Sequence, residues 1–270
     1  MIHNPGKNVN IQLFPGVHMP VAIPFSRGYN AENFRCLFLT GRTVISFRRR
    51  RSVRFRQGRC FGLIEVRTME LSQLCDREAR LYSDADAQRR ERASRYVHAD
   101  DRLRCLAAGY LMKHCLPGYS VSRLRTGPDG KPFLAGGVPF SLSHGGNYIV
   151  LAWCEDAPDI AGVGVDVEPV RDMAYYQAIL PCFMTAEERS TAGGDAAQAV
   201  RIWTRKESLY KCSGEGISDF LQLPPVLHDR VLFQGKPARL TSWEACGHSF
   251  SAALWGSDAP FLLNIRGEAL

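Results

Sequence analysis

The chain has 270 residues, of which 45% are hydrophobic and 23% charged, a composition typical of globular proteins with one large domain or two small ones. The longest uninterrupted apolar stretch, residues 148–154, is far too short to cross a membrane, and no signal-peptide pattern opens the chain. We therefore expect a cytoplasmic protein. Nine cysteines at irregular spacings, with no Cys-x-x-Cys pair, indicate neither a disulfide framework nor a zinc site.

The net charge of +7 is concentrated at the front of the chain. Residues 1–60 hold 11 Lys or Arg against the single acid Glu32, whereas the remainder holds 23 bases against 26 acids. We predict that residues 1–60 are a basic, poorly ordered extension that activity does not need. A chain starting near Gly58 tests this, since a folded but inactive product would contradict it. The arginine run 48–51 leaves a nucleic-acid-binding protein as an alternative, whose affinity would fall steeply with salt.

The first part of the body alternates strands with helices that carry basic residues. A strand is predicted at 61–66 and a helix from Ser72. Asp84 or Asp86 caps a basic helix with Arg89 and Arg92 on one face, and an acid-capped helix at 98–114 carries Arg104. Taken alone, Arg89 and Arg92 are best explained as the solvent-exposed side of a helix. A structural salt bridge to a neighbouring acid is the alternative for Arg104.

The next predicted elements are a turn and two strands. Pro-Asp-Gly at 128–130 predicts a turn that leads into an edge-like strand from Lys131. In Phe140-x-Leu-Ser143-His144 the alternation directs His144 inward, where a histidine is by default a core residue. A buried strand follows at 147–154.

The second part of the body carries acids on a strand and on a helix. Strand 163–168 places Asp166 and Glu168 on one face, about 7 Å apart. Thr185 and Glu188 form a predicted capping box. A helix from Ala196 to Cys212, stopped by Gly214, aligns Trp203, Glu207 and Lys211. Strands near 231–234, 239–243 and 249–255 follow, and the last residues close a sheet.

These patterns bring three carboxylates and a lysine together. A surface Glu/Lys pair four residues apart is the ordinary interpretation of Glu207 and Lys211. An acidic cluster without His or Cys instead suits Mg²⁺, which typically grips the phosphate oxygens of a substrate. The sequence therefore points to phosphate chemistry.

Two separated motifs resemble the signature pair of the 4′-phosphopantetheinyl transferases: Gly164-Val-Asp166-Val-Glu168 and Trp203-Thr-x-Lys206-Glu207-Ser-x-x-Lys211-x-x-Gly214-x-Gly216. Phe140-x-Leu-Ser143-His144 is similar to a third motif, although Gly145 replaces the Ser or Thr that often follows the histidine. The closest resemblance is to the larger, pseudo-dimeric class that serves peptide and polyketide synthetases. It implies an α+β fold with two similar halves, 61–160 and 161–270, related by a pseudo-twofold axis, each a small antiparallel sheet packed on a long helix.

The resemblance also implies an activity and a set of residue roles. The 4′-phosphopantetheine arm of coenzyme A would pass to a serine of an apo acyl, peptidyl or aryl carrier domain, releasing adenosine 3′,5′-bisphosphate. Glu207 is the implied general base and Lys211 the group that stabilises charge on the phosphate. The resemblance also implies a supporting role for Glu187, which would border the site and pair with Lys206. The implied Mg²⁺ ligands are Asp166, Glu168 and Glu207, and the implied coenzyme A contacts are Arg89, Arg92, Arg104, Lys131, Ser143 and His144.

The implied partners are coenzyme A and an apo carrier domain, with no membrane and no nucleic acid, and we expect a monomer. Carrier domains are usually acidic, so the docking surface should combine apolar groups with bases; residues 175–184 and the stretch after Gly216 are candidates. An inactive paralogue that binds coenzyme A or a carrier domain is the main alternative. The intact set of acids and Lys211 argues against it.

Overall fold

The computed structural model of the chain describes residues 62–128, 130–155, 160–214 and 220–270. All of them belong to one of the two units into which the chain divides, Arg35–Leu270. The basic extension 1–60 lies outside the described residues. No helix within these ranges is long and apolar enough to cross a membrane.

The described chain contains strands and helices in mixed order. The strands are β1 (Gly62–Glu70), β2 (Leu124–Thr126), β3 (Pro132–Leu134), β4 (Phe140–Gly145), β5 (Tyr148–Cys154), β6 (Gly162–Pro169), β7 (Arg230–Phe233), β8 (Lys236–Ala245), β9 (His248–Trp255) and β10 (Phe261–Gly267). The helices are α1 (Glu78–Asp84), α2 (Ala87–Ser94), α3 (Ala99–Cys115), α4 (Met173–Gln177), α5 (Leu180–Phe183), α6 (Ala186–Ala192) and α7 (Ala196–Ser213). These elements confirm the predicted α+β class.

The helix predicted from Ser72 begins later than the pattern indicated. Two short 3₁₀ turns cover this part of the chain, and α1 starts only at Glu78. The backbone N–H of Ser72 donates to Asn147 Oδ1 at 2.8 Å, and its hydroxyl accepts from Asn147 Nδ2 at 3.0 Å. Because these groups are bound to Asn147, Ser72 does not cap a helix.

Two four-stranded sheets form the centre of the molecule. The first has the order β10-β1-β5-β4 and the second β6-β9-β8-β7, while β2 and β3 form a separate hairpin. All pairs in the second sheet are antiparallel, but β1 and β10 pair in parallel. The prediction of an antiparallel first sheet was therefore wrong, because the chain returns from the second sheet and covers the free edge of β1.

Three clusters of buried side chains define the layers. Helix α3 packs on one face of the first sheet through residues such as Leu106 and Leu151. Helix α7 packs on the second sheet through residues such as Leu209 and Leu240. Between the sheets, β1 and β5 meet β6 and β9.

Each sheet thus has its own long helix, as the predicted halves require. The twofold relation and the boundary near residue 160 stay predictions. Strand β10, from the second predicted half, lies in the sheet of the first.

Candidate active site

Strand β6 presents its acids to helix α7. Val163, Val165 and Val167 are buried between the two sheets, so the alternating residues Asp166 and Glu168 share the opposite face, as predicted. A Cβ built on Gly164 would lie 1.8 Å from the carbonyl oxygen of Ser208. The glycine of this motif is therefore required because the strand and helix backbones are in direct contact.

Helix α7 brings Lys211 onto the acid of the strand. The Lys211 ammonium lies 2.7 Å from Asp166 Oδ1 and 3.9 Å from Glu207 Oε2, one turn earlier on the helix. The helix ends as predicted, with Gly214 in the left-handed conformation at φ 64°. The convergence of Asp166, Glu207 and Lys211 thus follows from two elements in contact.

Ser143 on strand β4 joins this group from the first sheet. Its hydroxyl donates to Asp166 Oδ1 at 2.7 Å and accepts from Lys211 Nζ at 2.9 Å. Strand β4 lies against β6, and the Val165 N–H donates to Ser141 Oγ at 3.1 Å. A Cβ at Gly145 would lie 2.1 Å from the carbonyl oxygen of Val167. This contact gives a physical reason for glycine where the resembled motif often has Ser or Thr.

Asp166 has one unsatisfied oxygen. Its side chain is 4% exposed, and Oδ2 is the buried side-chain polar atom that has no hydrogen-bond partner among the described residues. A buried carboxylate oxygen without a partner costs free energy, so such an atom marks a place where a donor or a cation belongs.

The two neighbouring glutamates, Glu168 and Glu207, have raised pKa values. Burial, reinforced by the charge of Asp166, raises the pKa of Glu168 from 4.5 to about 7. Burial also raises the pKa of Glu207 to about 7, against the opposing charge of Lys211. Burial alone would lower the pKa of Lys211, but the charges of Asp166 and Glu207 outweigh it and raise that pKa. The site therefore combines a stable cation with carboxyls able to exchange protons at physiological pH.

The carboxyl groups of the site are chemically suited to bind a hard divalent cation. Mg²⁺ prefers oxygen ligands, and the site has three carboxyls, one of which is Asp166 with its unsatisfied Oδ2. Within the described ranges, however, no three His, Cys, Asp or Glu side chains are gathered closely enough to hold a metal ion, and the Lys211 ammonium lies beside Asp166. The assignment of Asp166, Glu168 and Glu207 as metal ligands stays a prediction.

Arg104 carries a positive charge close to His144. Arg104 donates to the carbonyl of Gly146 at 3.0 Å and pairs with Asp101 at 2.8 Å. The His144 side chain is exposed, not directed inward as predicted, because Ser141 and Ser143 are the residues of β4 that are buried. Partial desolvation and the charges of Arg104 and Lys211 lower its pKa. The structure thus brings together, from α3, β4 and α7, three residues that the sequence assigned to one site.

Arg89 and Arg92 occupy helix α2, which Asp86 caps by accepting from the Arg89 N–H at 2.8 Å. The Arg89 side chain lies along α3, with Nη1 3.9 Å from the sulfur of Cys105, the residue after Arg104. Arg92 is exposed. Their predicted contact with coenzyme A stays a prediction.

Lys131 lies in a different environment from the one that the resemblance suggested. Its ammonium donates to the carbonyls of Lys211 and Cys212, at the end of α7, and to that of Val163. Burial lowers its pKa. Its predicted phosphate contact stays a prediction.

The partner of Lys206 was predicted wrongly. Lys206 pairs with Glu188, not with Glu187, at 3.0 Å, and both side chains of the pair are 0% exposed. The predicted capping box of Thr185 and Glu188 is present, and its geometry directs Glu188 inward while Glu187 faces solvent. The sequence predicted the capping box but not this pairing, because the packing of α6 against α7 sets the distance from Glu188 to Lys206.

Known proteins resemble this chain most clearly over the site. Residues 162–251 match a family model described as the 4′-phosphopantetheinyl transferase superfamily, a range that includes all of β6 and α7. The 4′-phosphopantetheinyl transferase psf-1 of Bacillus pumilus is 29% identical over 174 residues, which are 57% of this chain and 71% of the relative. The ffp transferase of Bacillus subtilis is 26% identical over 151 residues, 52% of this chain and 64% of the relative. The AcpT transferase of Salmonella typhi is 30% identical over 95 residues, 33% and 47% of the two chains.

Proposed function

Because the chain is a member of the 4′-phosphopantetheinyl transferase superfamily and resembles its larger class, we propose that it moves the 4′-phosphopantetheine arm of coenzyme A to a serine of an apo carrier domain. The other product is adenosine 3′,5′-bisphosphate. The observation that carries the proposal is the buried Lys211–Asp166 pair, which leaves Asp166 Oδ2 without a partner beside Glu168 and Glu207.

The proposed reaction needs a base and a cation at the reacting phosphate. The serine oxygen forms a bond to the β-phosphorus of coenzyme A while the bond from that phosphorus to the bridging oxygen breaks. Glu207 takes the serine proton. Lys211 stabilises the negative charge that develops on the phosphate oxygens.

Mg²⁺ is the metal that the donor chemistry fits best. Asp166, Glu168 and Glu207 would hold it, and when bound it would neutralise the diphosphate oxygens. The unsatisfied Asp166 Oδ2 and the raised pKa values of the two glutamates support this assignment, since a cation relieves both.

The nucleotide end of coenzyme A would lie along the basic residues of the first sheet and its helices. The charges of Arg104 and Lys211 both act on His144, and Arg89 and Arg92 add positive charge along α2. Ser143 would contribute indirectly, because its hydrogen bonds hold Asp166 and Lys211 in position. Anchoring the distant phosphate in this way positions the β-phosphorus for attack.

The carrier domain would dock on an exposed apolar surface near α7. Tyr175, Ile179 and Leu221 are exposed, and Arg171 lies 4.6 Å from the centre of the Tyr175 ring. They fall in the two segments predicted from the sequence. Apolar groups beside a base suit a small acidic helical domain.

Mass spectrometry tests the proposed function directly. The full chain is incubated with coenzyme A, MgCl₂ and purified apo carrier domains from fatty-acid, peptide and polyketide synthesis. We expect one serine of at least one carrier to gain the pantetheine arm, and a carrier with that serine replaced by alanine to gain nothing. Coenzyme A binding without any mass gain on the whole panel would instead favour the inactive paralogue.

A further inference from the structure

Lys131 joins the β2–β3 hairpin to the end of helix α7. It immediately precedes β3, and its Nζ lies 3.1 Å from the carbonyl oxygen of Cys212 and 3.5 Å from that of Val163. The same ammonium donates to the carbonyl of Lys211. An ammonium has three N–H donors, so three carbonyls use all of them.

The end of a helix is a favourable place for such a cation. The last carbonyls of α7 have no partner within the helix, and they carry its partial negative charge. Gly214 makes room for the lysine, since a Cβ at this position would lie 3.0 Å from Lys131 Cδ. The glycine that ends the helix and the lysine that binds its end therefore fit each other.

We propose that Lys131 is a positioning residue that holds the last turn of α7, and with it Lys211, in place against β6. The alternative is that its ammonium binds a phosphate of the substrate. The acceptors of Lys131 belong to the two elements that carry Asp166 and Lys211, so its effect on transfer passes through them. The expected effect of Lys131 on kcat rests on the proposed function, but its expected effect on the exchange of the α7 amides does not.

Amide hydrogen exchange on the unmodified chain separates the two roles. A positioning lysine stays on the helix, so protection of the amides at 210–213 should be unchanged or greater with saturating coenzyme A. A phosphate ligand has to leave the carbonyls, and protection of the same amides would then fall on binding. That fall would overturn the proposal. The comparison needs no substitution, so it remains decisive even if variants of Lys131 do not fold.

Substitution by methionine adds a second test, with the exposed Lys236→Met as the matched control. In Lys131→Met we expect exchange at 210–213 to become about fivefold faster, as expected when a partly buried cation is lost from a helix C-terminus. The kcat should fall about tenfold because Lys211 is misplaced. The Kd for coenzyme A should stay within about threefold, and Lys131→Arg should restore most of the rate.

Two results would contradict the positioning role in the variants. One is unchanged exchange in Lys131→Met, and the other is a loss of coenzyme A affinity larger than about tenfold. If the unmodified chain transfers nothing to any carrier, the proposed function fails, but the exchange experiments still decide where Lys131 acts.

Discussion

Helix α7 carries two lysine–carboxylate pairs that differ in burial and in how fully their oxygens are hydrogen-bonded. Lys206 and Glu188 are fully enclosed, and every oxygen of Glu188 is used: Oε2 accepts from Lys206 and Thr185, and Oε1 accepts from Val226 at 3.0 Å. Lys211 and Asp166 are 2.7 Å apart, against 3.0 Å for the first pair, but the Lys211 side chain is 25% exposed and Asp166 Oδ2 has no partner in the described chain.

The comparison shows that burial alone does not identify a functional ion pair. The Lys206 pair links α6, α7 and the chain around Phe220, whose carbonyl accepts from Lys206 at 3.3 Å. Its polar groups are satisfied, as a pair that maintains the fold requires. The Lys211 pair retains unused capacity beside two carboxyls with raised pKa values, which is what a site for a charged substrate requires.

The largest effect is expected from Asp166→Asn. The asparagine keeps the shape of the side chain and an acceptor for Ser143 but removes the charge that Lys211 and the proposed metal need. Transfer to an apo carrier should fall by at least about a thousandfold, measured by mass spectrometry, while the circular dichroism spectrum is retained. Asp258→Asn, at an exposed ion pair, is the control and should keep full activity. Near-normal turnover of Asp166→Asn would place the reaction elsewhere.

Lys206→Met should affect stability rather than chemistry. Removing this lysine leaves Glu188 buried with its charge unpaired, so the free energy of unfolding should fall by about 3 kcal/mol, measured in urea. Turnover per folded molecule should change little. The double variant Lys206→Met/Glu188→Leu should recover most of the loss, because it leaves no buried charge. A stable but inactive Lys206→Met protein would mean that both pairs belong to the active site.

The last prediction concerns how the stability of the chain depends on pH and on magnesium. Glu168 and Glu207 have a pKa of about 7 in the folded chain against 4.5 as the ordinary value, so the folded state binds more protons between these limits. With EDTA present, the stability should therefore fall as pH rises from 4.5 to 7. MgCl₂ should reduce the loss by stabilising the ionised forms.

Urea unfolding at both ends of this pH window measures the effect. The double variant Glu168→Gln/Glu207→Gln isolates it, because any remaining slope comes from other groups. A variant with the same pH slope as the unmodified chain would show that the two glutamates do not titrate as expected.

Local patterns in the sequence were sufficient for much of the fold and part of the site. Period two placed Asp166 and Glu168 on one face, because the β-branched residues between them belong in the core. Period 3.6 and Gly214 gave the length and end of α7, because these are properties of a single helix. The same local chemistry gave the capping box of Thr185 and Glu188.

Contacts between distant elements were decided only by the tertiary structure. Gly145 and Gly164 are explained by backbones that approach from other elements, and the parallel partner of β1 comes from the far end of the chain. Lys206 pairs with Glu188, and Lys131 binds the end of α7, because the packing of the helices and the hairpin places these groups next to each other. A sequence determines which face a side chain takes within its own element, because backbone geometry repeats locally. Which buried charge is satisfied depends on what the folded chain brings against it.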